Sequence, residues 1–253
     1  MIRSVLIRCR SAVQHARRAV AMAAGCSVVT VLVIGQVSVS PAAAAPLVLG
    51  LDVSGHQPII NWRAVSSASA QFAYIKATEG TGLVNADFAS QYDGAYQAGL
   101  IRGAYHFALP NESSGAVQAS YFVANGGGWS ADGRTLPGAL DIEYNPYGPE
   151  CYGLSQAAMV SWIASFTDAY QSLTTVWPVI YTARNWWAKC TGNYAGFAAD
   201  DPLWIASNGT TAGTLPAGWS TYTFWQYASA GTFPGDQDLF NGSSSQLLRI
   251  AVG

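Results

Sequence analysis

Charged residues are scarce in this chain. Lysine and arginine number 12 and aspartate and glutamate 14 among 253 residues, so charged side chains make up 10% of the sequence and apolar ones 50%. This composition is typical of a globular protein with a large core and unlike that of a disordered one. The length allows one domain of barrel size or two small ones.

Acidic residues are missing altogether from the first 45 residues. This segment holds five arginines, then an uncharged run over residues 19–39, then Ser-Pro-Ala-Ala-Ala-Ala. The order of basic, apolar and small residues predicts an export leader over residues 1–45, cleaved after Ala45, and a folded part over residues 46–253. Because the apolar run is long enough to span a bilayer, an uncleaved anchor is the alternative. Cleavage makes the protein secreted, without stable membrane association.

Basic charge becomes scarcer still without the leader. Seven of the 12 basic residues remain beside all 14 acidic ones, so the charge of the mature chain is 7 − 14, about −7. Such a chain has no basic stripe to neutralise phosphate groups. The balance argues against nucleic acid as a partner.

Cysteine and histidine are few. Of four cysteines, only Cys151 and Cys190 follow the leader, and each lies in a loop that contains glycine. Two such cysteines in an exported protein most often pair, which predicts a disulfide. Neither has a histidine at ligand spacing and no His-x-x-x-His occurs, so a zinc site is disfavoured.

Short apolar runs alternate with amphipathic stretches from residue 47 onwards. The predicted strands cover residues 47–53, 72–77, 101–108, 136–143, 177–182, 203–206, 222–227 and 237–240. The predicted helices cover residues 62–68, 85–98, 113–124 and 185–189. A further predicted helix is capped by Ser155 and carries an apolar stripe of Met159, Ile163, Phe166 and Tyr170, and no helical stripe follows residue 190. This order predicts an α/β fold, an irregular β/α barrel in one domain. An open doubly wound sheet is the alternative, but no glycine-rich phosphate loop follows any strand.

Two carboxylates end the fourth predicted strand. Asp141 and Glu143 share one face, because side chains alternate along a strand, and each charge raises the pKa of the other group. In a barrel the carboxyl ends of parallel strands meet at one rim, which also receives Asp52 from the first strand and Asp236 and Asp238 from the last. For the pair alone, a solvated strand end, a helix cap or a calcium ligand pair is the competing interpretation.

Aromatic side chains are expected at the same rim. Tyr105, Tyr181 and Trp225 fall near the ends of predicted strands, with Gln226 beside the last of them. Sugars stack their C–H faces on aromatic rings, while their hydroxyl groups bond to acids and amides. The combination favours a saccharide site, although each ring taken alone also suits a core position.

Five ordered segments resemble glycoside hydrolase family 25, the Chalaropsis-type lysozymes. They are Gly-Leu-Asp-Val-Ser at 50–54, Phe-Ala-Tyr-Ile-Lys-Ala-Thr-Glu-Gly at 72–80, Arg-Gly-Ala-Tyr-His-Phe at 102–107, Leu-Asp-Ile-Glu at 140–143 and Thr-Phe-Trp-Gln-Tyr at 223–227. The resemblance implies a TIM-like (β/α)5(β)3 barrel. It also implies cleavage of the β-1,4 bond between N-acetylmuramic acid and N-acetylglucosamine in peptidoglycan by a monomer that needs no metal and no cofactor.

The resemblance also implies roles for individual residues. The acid/base falls on Glu143, its partner on Asp141, and two further acids on Asp52 and Asp238, with retention of configuration and help from the substrate's 2-acetamido group. Sugar-binding residues are expected from the matching motifs and the rim. They are Tyr74, Glu79, Tyr105, Tyr181, Trp225 and Gln226.

The chain departs from the family pattern at two places. Gly-His-Gln at 55–57 and Ala-Ser-Asn at 206–208 stand where many members carry His-Trp or tyrosine, which puts an aromatic subsite wall in doubt. Two other functions are considered. A barrel that binds glycan without cleaving it has no need of the Asp-x-Glu pair, and a metal-dependent polysaccharide deacetylase requires a histidine pair that the chain lacks.

Overall fold

Nine strands are present in the computed structural model, which describes residues 47–253, and eight of them form a closed barrel. The strands are β1 (Val48–Val53), β2 (Ala70–Glu79), β3 (Leu83–Val84), β4 (Ile101–Phe107), β5 (Ala139–Asp141), β6 (Val179–Ala183), β7 (Leu203–Ala206), β8 (Phe224–Ala228) and β9 (Asp236–Phe240). The helices are α1 (Trp62–Ser67), α2 (Phe88–Gln97), α3 (Gly115–Phe122), α4 (Gln156–Thr174), α5 (Arg184–Thr191) and α6 (Ser244–Ile250). Strand β3 is a hairpin partner of β2 outside the ring. The predicted leader lies outside the described residues.

Strand direction determines which ends meet at the rim of the barrel. Pairing of β1 with both β2 and β9 closes the ring. The ring strands from β1 to β8 run parallel to their neighbours, whereas β9 runs antiparallel to β8 and β1. The amino end of β9 therefore lies beside the carboxyl ends of the other strands. Five β/α units followed by three strands confirm the predicted barrel.

Two predictions about elements are wrong. The fourth strand is short, since β5 ends at Asp141 and leaves Glu143 in the following segment. A helix, α6, also forms where none was expected. It begins with a capping box in which Ser243 and Gln246 exchange hydrogen bonds. Its seven residues are too few for a visible stripe, because only Leu247 among them is buried.

Aromatic rings fill the barrel. Phe72, Tyr74, Trp204 and Phe224 are almost completely buried, and the ring centroids of Tyr74 and Trp204 lie 4.8 Å apart. The neighbouring strand β1 contributes Gly50, where a Cβ atom would come within 2.4 Å of the Phe72 ring. The absence of a side chain at Gly50 therefore leaves the space that the ring of Phe72 fills.

The outer layer of helices packs on the barrel as the apolar spacing predicts. The Oγ atom of Ser155 accepts a hydrogen bond from the backbone of the first turn of α4, which confirms the predicted cap. The predicted stripe of this helix is fully buried; it consists of Met159, Ile163, Phe166 and Tyr170. Within residues 47–253, no helix has both the length and the apolar character that crossing a membrane requires.

The predicted disulfide is present. Cys151 and Cys190 are bonded, with their Cα atoms 5.3 Å apart. The bond ties the segment that follows β5 to helix α5. The same segment is held by Glu150, which pairs with Lys189 and accepts a hydrogen bond from the indole of Trp186 through its backbone carbonyl.

Candidate active site

A cleft of about 430 Å³ opens at the rim where the strand ends meet. Asp52 reaches it from β1, Asp141 from the end of β5, Glu143 from the segment after β5, and Asp236 from the amino end of β9. The fold thus brings together carboxylates that lie far apart in the sequence. Because the parallel strands all end here, the rim gathers side chains that no local segment could place side by side.

The two acids of β9 lie at different depths. Asp236 is paired with Asp52 across β1 and β9, and Asp238 is paired with Gly50, two residues further into the barrel. Asp236 lines the cleft, whereas Asp238 is completely buried and accepts a hydrogen bond from Nε1 of Trp204 at 2.9 Å. Side chains two residues apart share a face, so Asp238 belongs to the layer beneath the cleft.

Burial raises the pKa of every acid at the cleft. It raises the pKa of Asp52 to about 7, with a further contribution from the charge of Asp236. Burial followed by the charge of Asp236 likewise raises the pKa of Glu143 to about 7. The pKa of Asp141 is well above its usual range because of burial and the charge of Glu143. The site therefore holds protons near neutral pH, as general acid chemistry requires.

A hydrogen-bonded amide connects two of these acids. Nε2 of Gln226 donates to Oδ2 of Asp52 at 2.8 Å and to Oδ2 of Asp236 at 3.1 Å. The hydroxyl of Tyr181 donates to Oε1 of the same amide at 2.9 Å. These contacts fix the orientation of Gln226 and hold the two carboxylates close to each other. By contrast, Oδ1 of Asp141 is buried without a hydrogen-bond partner among residues 47–253.

One cation lies among the side chains of the cleft. Nζ of Lys76 is 2.6 Å from Oε2 of Glu79 and 4.7 Å from the centre of the Phe107 ring. Its charge opposes the effect of burial and lowers the pKa of both Asp141 and Glu143. Lys76 therefore keeps the pKa of these acids from rising further.

The predicted sugar-binding residues separate into two groups. Tyr105, Tyr181 and Gln226 line the cleft. Tyr74, Glu79 and Trp225 do not line it. Tyr74 belongs to the barrel interior, where its hydroxyl donates to the carbonyl of Pro137 at 3.0 Å. Depth explains the position of Tyr74, which shares the inward face of β2 with Lys76 but lies two residues further into the barrel.

Glu79 and Trp225 face surfaces next to the cleft. Glu79 binds Lys76 and accepts a hydrogen bond from the hydroxyl of Tyr147 at 2.5 Å, in a neighbouring hollow. Trp225 points outward from β8 and donates from Nε1 to the carbonyl of Ser207 at 2.8 Å. Its neighbour Gln226 points inward, again because side chains alternate along a strand.

Several residues that line the cleft are not among the predicted site residues. Lys76, Trp204 and Asp236 are three of them; Asp236 was expected at the rim together with Asp238, but without a role of its own. Alternation from Tyr74 on β2 points to Lys76, since the two residues share a face. The position of Trp204, near the beginning of its strand, gave no comparable signal.

His106 has a structural role. It is completely buried, with Nδ1 2.8 Å from the hydroxyl of Thr78 and Nε2 2.9 Å from Oε1 of Gln118. Burial lowers its pKa to about 4, so the ring is neutral at pH 7. A carbonyl oxygen only accepts, so Nε2 carries the proton and Nδ1 accepts from Thr78. Both ring nitrogens are therefore engaged.

A barrel-rim cleft with adjacent, proton-holding carboxylates is the arrangement of a glycoside hydrolase. The family model described as Glycosyl hydrolases family 25 matches residues 51–236. The chain belongs to this family, as its sequence motifs indicated.

Curated relatives and solved structures agree with this assignment. Lysozyme M1 of Streptomyces globisporus is 54% identical over 209 residues, which cover 81% of this chain and 71% of the relative. The N,O-diacetylmuramidase of a Chalaropsis species is 48% identical over 81% of this chain and 100% of its own length. The structure of a muramidase from Acremonium alcalophilum superposes with a TM-score of 0.80 at 55% identity, covering 81% of this chain and 99% of that one.

Proposed function

We propose that this protein is a muramidase that hydrolyses the β-1,4 bond between N-acetylmuramic acid and N-acetylglucosamine in peptidoglycan. The observation that carries the proposal is the set of four carboxylates, Asp52, Asp141, Glu143 and Asp236, that line one cleft with raised pKa values. The names of relatives, lysozyme and N,O-diacetylmuramidase, support the same substrate. Peptidoglycan glycan strands are thus the partner.

Glu143 acts as the general acid and then as the general base. Its pKa of about 7 leaves Glu143 protonated in a large fraction of molecules at neutral pH. Glu143 is also less buried than Asp141, the other acid of the Asp-x-Glu pair. Protonation of the glycosidic oxygen allows the N-acetylglucosamine side to leave. Glu143 then accepts a proton from the water that attacks C1.

Asp141 orients the substrate amide. In the proposed mechanism the 2-acetamido oxygen attacks C1 from the opposite face, the bond to the leaving oxygen breaks, and water later opens the cyclic intermediate with net retention. Oδ1 of Asp141 has no partner among residues 47–253 and is therefore free to accept the N–H of that amide. Such a bond increases the nucleophilicity of the acetamido oxygen.

Asp236, with Asp52, completes the site in place of Asp238. Asp236 lines the cleft and its charge raises the pKa of Glu143, whereas Asp238 is buried beneath the cleft. Gln226 bridges Asp52 and Asp236 and fixes both. We assign Asp238 to the support of Asp52, because a hydrogen bond between the two side chains lowers the pKa of Asp52, while Nε1 of Trp204 holds Asp238 in place.

Product analysis tests the proposal. Peptidoglycan is digested with wild type and with Glu143→Gln, and the released fragments are identified by mass spectrometry after borohydride reduction. We expect reducing-end muramic acid from wild type and a loss of at least about 10²-fold in the variant, the scale of general acid catalysis. Comparable release by both proteins would contradict the role of Glu143, and reducing-end glucosamine would contradict the bond assigned.

We also propose that the mature chain is a secreted monomer. The leader motif supports export. N-terminal sequencing of protein from the culture medium tests this, and a mature chain that begins at Pro46 is expected.

A further inference from the structure

A second hollow adjoins the catalytic cleft. It has a volume of about 480 Å³ and shares Ser54, His56 and Lys76 with the cleft. Its outer walls are formed by β3, by the turn after it and by Tyr147 from the segment after β5. We call this hollow the side chamber. A ligand in the cleft can extend into it past Lys76.

Glu79 holds two side chains together at the entrance from the cleft to the side chamber. Glu79 binds Nζ of Lys76 at 2.6 Å and the hydroxyl of Tyr147 at 2.5 Å. Burial opposes ionisation of Glu79, but the bonds from Lys76 and Tyr147 outweigh it and hold its pKa below the usual value. The carboxylate is thus charged and fixes both partners. An ammonium group has three donors, so Lys76 keeps hydrogen-bonding capacity for a ligand.

The walls of the side chamber suit a peptide. Leu83 and Val84 of β3 are 44% and 46% exposed, which is the kind of aliphatic surface that alanyl side chains contact. Strand β3 is also the last in the sheet order, so its outer edge offers backbone groups to an extended chain. The lining carries side chains of both charge signs, with Lys76 and Glu79 at the entrance and Asp87 on the wall, which suits a peptide that bears both amide and carboxylate groups. Lys76 is the group that a carboxylate of such a peptide would contact.

The substrate of the proposed reaction carries one group of this kind. A glycan strand is linear except at O3 of each muramic acid, where a lactyl group bears a short acidic peptide stem. We infer that the side chamber binds this peptide stem while its muramic acid occupies the cleft, with Lys76 facing the lactyl and first carboxyl groups. This inference rests on the proposed function and names a specificity determinant for it.

Charge variants of Leu83 test the inference. Leu83 lines the side chamber, lies outside the catalytic cleft and is exposed, so Leu83→Asp and Leu83→Lys lose the same apolar contact but differ in charge. The substrates are glycan oligomers with unamidated stems and the same oligomers freed of stems by an amidase. On stem-bearing oligomers we expect kcat/KM to fall about fivefold in the aspartate variant and to change little in the lysine variant. Stem-free oligomers are cleaved equally by all three proteins.

A matched control and the contrary outcomes are available. Leu173→Asp places the same charge on a residue of α4 that is 52% exposed and lines none of the cavities described above, and it leaves both rates unchanged. Equal effects of the two Leu83 variants on stem-bearing oligomers would overturn the inference. So would a loss on long stem-free oligomers, which would make the side chamber a sugar subsite. Failure of wild type to cleave either substrate would instead contradict the proposed function.

Discussion

At the scale of residues, the state of Glu143 depends on charges of opposite sign. After burial, the negative charge of Asp236 raises its pKa and the positive charge of Lys76 lowers it, with a result of about 7. The acid must be protonated for bond cleavage, so kcat/KM falls as pH rises through this pKa. Because the acids of the cleft influence one another, the measured value belongs to the coupled group.

The pH profile distinguishes the two acids of β9. In Asp236→Asn the loss of a negative charge lowers the pKa of Glu143, so the alkaline limb moves to lower pH. In Lys76→Met the loss of a positive charge raises it, and the limb moves to higher pH. The measurement is kcat/KM against pH on a soluble oligomer. Asp238→Asn serves as the control and leaves the alkaline limb of the pH profile near its wild-type position. A shift equal to that of Asp236→Asn would contradict the placing of Asp236 in the cleft and of Asp238 beneath it.

At the scale of elements, the segment after β5 has no regular structure and yet carries Glu143, the proposed general acid. It is held instead by the Cys151–Cys190 disulfide, by the contact of Glu150 with α5 and by the bond from Tyr147 to Glu79. These attachments connect the segment to α5 at one end and to the end of β2 at the other. They fix the segment in place of the backbone pairing that a longer strand would have supplied.

Removing the disulfide tests this description of the segment. The double variant Cys151→Ser, Cys190→Ser opens a loop whose ends are 39 residues apart in sequence. We expect the free energy of unfolding to fall by about 2 to 4 kcal/mol, because the unfolded chain gains conformational entropy. Urea unfolding of the variant and of oxidised wild type measures the difference. Equal midpoints with equal slopes would show that the bond contributes nothing to stability.

At the scale of the whole molecule, closure of the barrel creates the site. Strand β1 pairs with β2 on one side and with β9 on the other, so Asp52 and Asp236 meet only when the last strand returns to the first. Helix α6 follows β9, and its Leu247 belongs to the same buried hydrophobic cluster as Val48 of β1, Phe72 of β2 and Phe240 of β9. The last helix therefore stabilises the closed ring.

Truncation of Leu247 is expected to destabilise the closed ring. The side chain is completely buried, so Leu247→Ala leaves a cavity and lowers the free energy of unfolding by about 2 to 5 kcal/mol. Its neighbour Leu248 is 46% exposed, and Leu248→Ala costs under about 1 kcal/mol. Thermal unfolding of the two variants provides the comparison. A smaller loss for Leu247→Ala than for Leu248→Ala would contradict the packing of α6 against the barrel.

Local patterns in the sequence determined much of this protein. Alternation of apolar runs with amphipathic stretches predicted the β/α units, the cap at Ser155 and the stripe of α4, because these depend on neighbours three or four residues away. The motifs, among them the one around Asp141 and Glu143, indicated the family that the family model confirms. Cysteine count and context predicted the disulfide.

Only the tertiary structure decided which residues share the cleft. The antiparallel direction of β9 places Asp236 at the rim and Asp238 beneath it, and the inward or outward face of a strand separates Gln226 from Trp225. The same is true of Lys76, whose importance depends on acids contributed by other strands. The depth of a side chain in the barrel, and whether it points inward or outward, depend on how the strands pair around the closed ring. Pairing between distant segments leaves no periodic signal in either segment alone.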